Sequence, residues 1–220
     1  MTRLLVLRPE PGASATVERA RALGLEAVAI PLFEIEPVKW QAPDAGSFDG
    51  LLLTSANSIR CGGHQLEQLR GLKTYAVGEA TAEAALERGF DIASIGDAGV
   101  DRLLGFIEPG VKLLHLCGAD RRPPGETGHR IVPVVVYRAE PIGSPDLSLA
   151  AGSIALIHSP RAGRRFAELV VDRSSIAIAA MSSAAADAVG DGWKSVEVAD
   201  RPSDEALLAL AARLCNKPQP

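Results

Sequence analysis

Side chains with a hydroxyl group recur where apolar, strand-like segments give way to helix-like ones. Thr54 and Ser55, Thr81, Ser159 and Ser182 all lie at such junctions. A hydroxyl there can cap the helix by accepting a backbone N–H, which is the simpler interpretation for any one residue. Helix N-termini at the carboxyl ends of parallel strands also bind anions. Each exposed anion–helix interaction contributes about 0.3–1 kcal/mol, so several would favour a ligand with many anionic groups.

The stretch "YAVGEATAEAAL" raises the same two alternatives at a glycine turn. Gly78 separates a strand-like segment from a helix-like one, three residues before Thr81. The turn is either ordinary strand-to-helix packing or one of several helix N-termini that hold an anion.

Three arginines lie at strand ends and are candidates for carboxylate binding. Arg8 follows the first apolar segment, Arg121 follows "LHLCGAD", and Arg161 lies in the turn after Ser159. The planar guanidinium can bind both oxygens of a carboxylate. Most arginines on a protein surface are only solvated, so these three are selected by their position.

Tyr137, one of two tyrosines, is the candidate proton donor. It follows the apolar run Ile131–Val136 in the stretch "VVVYRAE". Its phenol can donate a proton or a hydrogen bond, but an amphipathic residue that packs against one domain is an equal alternative. His115 and His158 also lie at strand ends, and burial in a sheet explains both.

Composition excludes several classes of function. The net charge of −4 gives no general attraction to nucleic acid or to anionic membranes. The apolar run Leu4–Leu7 is too short for a signal peptide or a membrane span. The three cysteines and four histidines lack metal-ligand spacing, so we expect no metal, and isolated thiols favour a reducing cytoplasm.

Short apolar runs alternate with helical periodicity almost from end to end. Aromatic residues make up only 4% of the chain, which favours buried parallel strands covered by helices. About ten strand-like runs are too many for one compact sheet, so we predict two. No Gly-x-Gly-x-x-Gly, phosphate-binding loop or Gly-x-Ser-x-Gly motif is present, which disfavours a nucleotide-dependent transferase.

An internal repeat indicates that the two sheets belong to two copies of one domain. "LLLTSANSIR" resembles "ALIHSPRAGR", and "AVGEATAEAA" resembles "AMSSAAADAV". Ser55 and Ser159 are 104 residues apart, as are Gly78 and Ser182. Three landmarks at one offset, the third being the Leu-Leu pairs that begin at Leu103 and Leu207, favour a duplication.

The order of the repeats predicts that one domain is inserted into the other. We expect a discontinuous α/β domain at 1–33 plus 139–220 and an inserted α/β domain at 40–132. The segments 33–39 and 132–140 would connect them as a two-stranded β-ladder, since "FEIE" alternates with period two. The predicted fold is α/β, with two similar flavodoxin-like domains, each a parallel sheet in a three-layer α/β/α arrangement, and the ladder as a hinge.

These features together resemble the uroporphyrinogen-III synthase family. The matching stretches are "LRPEP", "IPLFEIEP", "FDGLLLTSANSI", "YAVGEATAEAALERGF", "VVVYRAEP", "ALIHSPRAGRRF" and "VADRPSDEALLALAARL". Each is short and degenerate, but their order and spacing are specific, and they cover nearly the whole chain. The resemblance implies two α/β domains joined by a two-stranded ladder.

The resemblance also implies a reaction. Hydroxymethylbilane, a linear tetrapyrrole with eight carboxylates, would lose water, invert ring D and close to uroporphyrinogen III without any cofactor. Tyr137 matches the family's tyrosine and would be the acid that assists departure of the hydroxyl. Ser55, Thr81 and Ser159 match positions that face the cleft in the family. We expect a cytoplasmic monomer whose partner is this small-molecule substrate.

Two departures from the family pattern affect single hydrogen bonds. Ala185 stands where relatives often have threonine, so Ser182 and Ser183 would supply any hydroxyl there. "SANS" stands where relatives often have Ser-Pro-Arg or Ser-x-Asn. An alternative of another class is a non-catalytic two-domain clamp that binds a polycarboxylate or tetrapyrrole effector.

Overall fold

The structure is a computed structural model that describes residues 2–96, 99–121 and 123–216. These residues form two compact units. Unit 1 comprises Met1–Glu34 and Pro141–Pro220, and unit 2 comprises Ile35–Glu140.

The described residues contain parallel strands separated by short helices. The strands are β1 (Leu4–Val6), β2 (Ala27–Ala29), β3 (Phe33–Pro37), β4 (Gly50–Leu53), β5 (Thr74–Val77), β6 (Ile92–Gly96), β7 (Lys112–Gly118), β8 (Arg130–Pro141), β9 (Ile154–Ile157), β10 (Ala177–Ala180) and β11 (Ser195–Val198). The helices are α1 (Gly12–Ala22), α2 (Ala56–Cys61), α3 (Glu79–Glu87), α4 (Val100–Leu104), α5 (Pro160–Leu169), α6 (Ser183–Asp187) and α7 (Asp204–Asn216), with 3-10 turns at Ala45–Ser47 and Gly63–Leu69.

Unit 1 is built on a five-stranded sheet in the order β11-β10-β9-β1-β2, and each strand runs parallel to its neighbours. Its central strands are apolar and buried along their whole length, as strands covered on both faces must be. On one face, Leu4 and Leu156 pack in a core with Leu207 of α7. On the other face, α5 approaches closely because Gly163 has no Cβ, which would lie 3.3 Å from the Ile157 side chain.

Unit 2 repeats this arrangement with one additional strand, in the order β3-β8-β7-β4-β5-β6. Leu51 and Leu53 of β4 pack with Ile59 of α2 in one core, and Leu52 packs with Leu103 of α4 in a second. Side chains of successive strand residues point to opposite faces, so these two cores lie on the two sides of the sheet. The structure thus confirms the predicted α/β class with two similar three-layer domains.

The strand registers preserve the offset of the repeat. Leu51 pairs with Thr74 in unit 2, and Ala155 pairs with Ile178 in unit 1. Leu51 and Ala155 are 104 residues apart, and so are Thr74 and Ile178, which is the offset between Ser55 and Ser159. The repeated sequences therefore occupy equivalent places in the two sheets.

The connecting segments of the prediction fall on β3 and β8, which are neighbours in the second sheet. The Val38 N–H donates to the Val136 carbonyl at 3.1 Å, and the Ile142 N–H donates to the Leu32 carbonyl at 3.0 Å. The later residue of one segment bonds the earlier residue of the other, as in an antiparallel pair. The role of these strands as a hinge stays a prediction. Among the described residues, no helix is both long and apolar enough to cross a membrane.

Candidate functional site

In unit 2, Thr54 and Ser55 directly follow β4, at the carboxyl end of the sheet. Ser55 is the N-cap of α2, and its hydroxyl accepts the Asn57 N–H at 3.2 Å. The Thr54 hydroxyl lies 2.9 Å from Nε2 of His115 on the neighbouring strand β7. The two adjacent hydroxyls thus have different partners, a helix N-terminus and an imidazole.

Tyr137 lies at the same end of the sheet, just past an irregularity in the pairing of β7 with β8. The register shifts between Cys117 and Gly118, so that Gly118 pairs with Tyr137. The Ala119 N–H donates to the Tyr137 carbonyl at 2.9 Å. A β-bulge of this kind re-aims a side chain, and here it directs the phenol toward the Ser55 hydroxyl.

The phenol of Tyr137 is half-buried and stays protonated at neutral pH. Burial is the main cause that raises its pKa above the ordinary tyrosine value, while the hydrogen bond with Ser55 acts in the opposite direction. The Gly118 backbone lies against the ring, because a Cβ at Gly118 would be 2.8 Å from two ring carbons and 3.0 Å from the phenol oxygen. The phenol of Tyr137 is therefore a hydrogen-bond donor held in a fixed position.

His115 is 2% exposed and neutral. Burial lowers its pKa to about 4, and the nearby charge of Arg121 acts in the same direction. Within the described part of the chain its Nδ1 has no hydrogen-bond partner. Arg121 is exposed and lies close enough to act on the pKa values of both His115 and Cys117, so this predicted arginine lies at the same sheet end as Thr54.

At Gly78 the structure shows a tight turn into α3. Gly78 has a φ of 83°, a conformation that favours glycine, and its N–H donates to the Gly96 carbonyl at 2.8 Å. The first residue of the helix is the acid Glu79, which opposes a bound anion. The structure differs from the expectation for Thr81, which is 5% exposed because it faces the core with Ala85 one turn later.

In unit 1, Ser159 and Ser182 occupy the places equivalent to Ser55 and Gly78. The Ser159 hydroxyl accepts the Ala162 N–H at 3.2 Å, and the Ser182 hydroxyl accepts the Ala185 N–H at 3.3 Å. Both serines therefore cap their helices, α5 and α6. This is the simpler of the two alternatives that their sequence positions left open, and it leaves the other N–H groups of each first turn facing the sheet end.

Arg161, in the first turn of α5, lies over the Phe33 ring with its guanidinium carbon 4.4 Å from the ring centre. Arg8, just past the end of β1, has a side chain that is 35% exposed and forms an ion pair with Asp204 at 3.6 Å. Burial lowers the pKa of Arg8 and Asp204 raises it, but the guanidinium remains charged at any physiological pH.

Asp204 is the centre of a polar network that the sequence did not predict. Its carboxylate accepts hydrogen bonds from Thr16 at 3.0 Å, from Arg19 at 2.6 and 2.9 Å and contacts Nε2 of His158 at 3.0 Å. Burial acts to raise the Asp204 pKa, but the bonds from His158 and Arg19 outweigh it and hold the pKa well below the usual range. In the sequence, Asp204 lies in the stretch "VADRPSDEALLALAARL", far from Thr16 and His158.

The described residues hold no cluster of three or more His, Cys, Asp or Glu side chains that could bind a metal. The two sheet ends offer hydroxyls, a phenol, helix N-termini and guanidinium groups. These groups can bind carboxylates and donate a proton.

Comparisons with known proteins agree with this fold. A family model described as "Uroporphyrinogen-III synthase HemD" matches residues 14–209. A uroporphyrinogen-III synthase of Chlorobaculum parvum is 30% identical over 119 residues, which are 50% of this chain and 48% of that protein. The matched region thus spans about half the length of this curated relative.

Two solved structures share the fold. The uroporphyrinogen-III synthetase of Helicobacter pylori 26695 has a TM-score of 0.66 at 18% identity, over 97% of this chain and 99% of its own. A mutant uroporphyrinogen III synthase of Thermus thermophilus has a TM-score of 0.53 at 18% identity, over 99% of this chain and 100% of its own. Because the family model covers nearly the whole chain, this protein belongs to the uroporphyrinogen-III synthase family.

Proposed function

We propose that this protein converts hydroxymethylbilane to uroporphyrinogen III, with loss of water and inversion of ring D. The family match over residues 14–209 carries this proposal. The hydroxyls, helix N-termini and arginines at the ends of the two sheets suit a substrate with eight carboxylates. No metal or organic cofactor enters the proposed reaction.

The task of the protein in this proposal is largely conformational. The linear substrate is understood to close without enzyme to the uninverted isomer, so the protein must hold the chain in the fold that leads through the spiro route. Ser55, Ser159, Ser182 and the Gly78 turn would provide backbone and hydroxyl donors for this, and Arg8, Arg121 and Arg161 would provide charge.

Tyr137 is the proposed acid for departure of the substrate hydroxyl. As the C–O bond breaks, the phenol donates its proton to the leaving oxygen, which departs as water. General acid catalysis of this kind contributes about 10²–10⁴-fold in rate. Its raised pKa keeps the proton in place until the leaving group develops negative charge. Thr81 is left out of the proposed site because its side chain is buried.

The decisive experiment gives the purified protein freshly made hydroxymethylbilane and separates the oxidised porphyrin isomers. The type III isomer is expected. Formation of the type I isomer alone, with retained binding of a tetrapyrrole, would support a non-catalytic clamp instead.

Tyr137→Phe tests the acid. We expect turnover to fall by about 10²-fold or more, with a smaller loss of product affinity, because the phenol acts only as the C–O bond breaks. Tyr75→Phe is the matched control, since Tyr75 is the other tyrosine and lies on β5 of the same unit. Equal losses of turnover and product affinity in Tyr137→Phe would assign Tyr137 to binding or packing.

The remaining parts of the proposal concern the state of the protein. Its cysteines among the described residues, Cys61, Cys117 and Cys215, are free thiols, which is compatible with a reducing cytoplasm. We propose a monomer, and sedimentation of the purified protein near the 23.0 kDa of one chain is the expected result.

A further inference from the structure

The guanidinium of Arg8 is held from two sides in unit 1. On one side, its Nη1 lies 3.6 Å from Oδ1 of Asp204. On the other side, it lies directly against the backbone of Gly12, since a Cβ built there would be 2.6 Å from Nε and 2.9 Å from Cζ of Arg8. The side chain that would bind a carboxylate is thus confined between a carboxylate and a residue without a side chain.

Asp204 is itself held firmly. Thr16, which is fully buried, donates to both carboxylate oxygens at 3.0 Å, and Arg19 binds Oδ2 through two nitrogens. His158 contacts Oδ1 at 3.0 Å. Hydrogen bonds to a charged group are stronger than those between neutral groups, so the carboxylate has little freedom to leave this position.

The charges in this group do not cancel. Arg8 and Arg19 carry two positive charges against one negative charge on Asp204, while burial lowers the pKa of His158 and favours its neutral form. The Asp204 side chain is 15% exposed, whereas the Arg8 and Arg19 side chains are 35% and 52% exposed, so the exposed part of the group is cationic. Arg19 is bound to Oδ2 through two nitrogens, whereas Arg8 contacts Asp204 only at 3.6 Å, so an anionic ligand would approach Arg8 with Asp204 behind it.

We propose that Asp204 and Gly12 are positioning residues that fix the Arg8 guanidinium for a carboxylate of the substrate. The inference rests on the proposed function for the identity of that substrate. Asp204 aligns the guanidinium from behind, and Gly12 leaves the space in which it lies. Neither residue contacts the reacting atoms.

Steady-state kinetics with hydroxymethylbilane tests the proposal. In Asp204→Asn, we expect KM to rise about tenfold and kcat to change less than about twofold, because a lost charge-assisted contact weakens binding uniformly. We expect KM to rise by a similar or larger factor in Arg8→Ala. Adding Asp204→Asn to Arg8→Ala should not raise KM further. Asp200→Asn is the matched control, because Asp200 is 80% exposed and pairs with Arg213.

Gly12→Ala gives a second test that does not depend on the folding of an Asp204 variant. The added methyl displaces the guanidinium, while alanine loses less backbone entropy than glycine on folding. We expect a raised KM in a protein that melts no lower than the parent. Gly143→Ala is its control, since a Cβ there meets no atom within 4 Å.

A spectroscopic measurement separates this proposal from the proposed function. The ¹⁵N order parameter of the Arg8 Nε–Hε bond is expected to be clearly lower in Asp204→Asn than in the parent. An unchanged order parameter, or additive effects of Arg8→Ala and Asp204→Asn on KM, would overturn the positioning role. A parent protein that forms no type III isomer would overturn the proposed function, and the order parameter would still decide the positioning role.

Discussion

Gly118→Ala perturbs the candidate acid without changing it chemically. Gly118 pairs with Tyr137 across the β7–β8 irregularity and lies against its ring. Its φ lies outside the left-handed region, so the alanine backbone is unstrained. The substitution therefore acts through one methyl group.

The size of the effect follows from the contact distances. The new Cβ would lie 2.8 Å from two ring carbons of Tyr137, whereas carbon atoms are in favourable contact at about 3.5–4.0 Å. The ring must retreat by about 0.7–1.2 Å, which moves the phenol from its position near the Ser55 hydroxyl. A misplacement of about 1 Å costs on the order of 10²-fold in rate, so kcat should approach that of Tyr137→Phe.

The fold should tolerate the same change. An off-rotamer tyrosine costs about 0.5–1.5 kcal/mol, and replacing glycine by alanine at a compatible position recovers about 0.4–1 kcal/mol. We expect the free energy of unfolding in urea to change by less than about 1 kcal/mol.

The assay measures kcat for type III porphyrin formation alongside that urea titration. Gly71→Ala is the control in the same unit, since a Cβ at Gly71 meets nothing within 4 Å. A Gly118→Ala protein with kcat within about threefold of the parent, while Tyr137→Phe is slowed by about 10²-fold, would refute the argument that the position of the phenol matters.

Two further predictions concern the other predicted site residues and their neighbours. The pKa of His115 is about 4 in the fold and about 6.5 in the unfolded chain, so the unfolded state binds the proton first as pH falls. Between pH 7 and pH 5, this group should therefore lower the free energy of unfolding by about 2 kcal/mol. Urea titrations at both pH values should show a smaller decrease in His115→Gln; an equal decrease would contradict a depressed pKa. Ser159→Ala should destabilise by about 0.5–2 kcal/mol and Ser159→Gly by a few tenths, since glycine also serves as an N-cap. If Ser159 also binds substrate, KM rises in both variants; an unchanged KM would limit Ser159 to capping.

The presence of two similar parallel sheets could be predicted because the information is local and repeated. Apolar runs such as Leu51–Leu53 and Ile154–Ile157 are short and bounded by turn residues, which favours buried strands. The 104-residue offset then assigns each run of one copy to a run of the other, which predicts two similar sheets. Helix caps at Ser55, Ser159 and Ser182 are equally local, since the hydroxyl bonds an N–H two or three residues later.

The site depends on contacts that no local pattern encodes. Thr16 and Asp204 are separated by 188 positions, so their hydrogen bond could not be read from either neighbourhood. Thr81 shows a different difficulty, because a local pattern can fit two outcomes. A hydroxyl in a first helical turn can face a ligand or lie on the stripe that faces the core. The stripe it shares with Ala85 decides the outcome, and Thr81 is buried.

The registers also reveal which residue of unit 1 stands in the place of Tyr137. Ala27 pairs with Leu4 as Ile131 pairs with Leu113, and Ala27 and Ile131 are 104 residues apart. Phe33 lies six residues after Ala27, as Tyr137 lies six residues after Ile131. An aromatic ring therefore stands at the equivalent position in both copies.

The two rings differ in the group that each one meets. Tyr137 carries a hydroxyl next to Ser55, whereas Phe33 has none, is 5% exposed and lies under the Arg161 guanidinium. A tyrosine at position 33 would keep its hydroxyl covered, so Phe33→Tyr should not restore turnover to Tyr137→Phe. Kinetics of the double variant test this, and recovery of more than about tenfold would mean that either ring can serve as the acid. The duplicated fold thus supplies two aromatic positions, and only the one in unit 2 carries a hydroxyl.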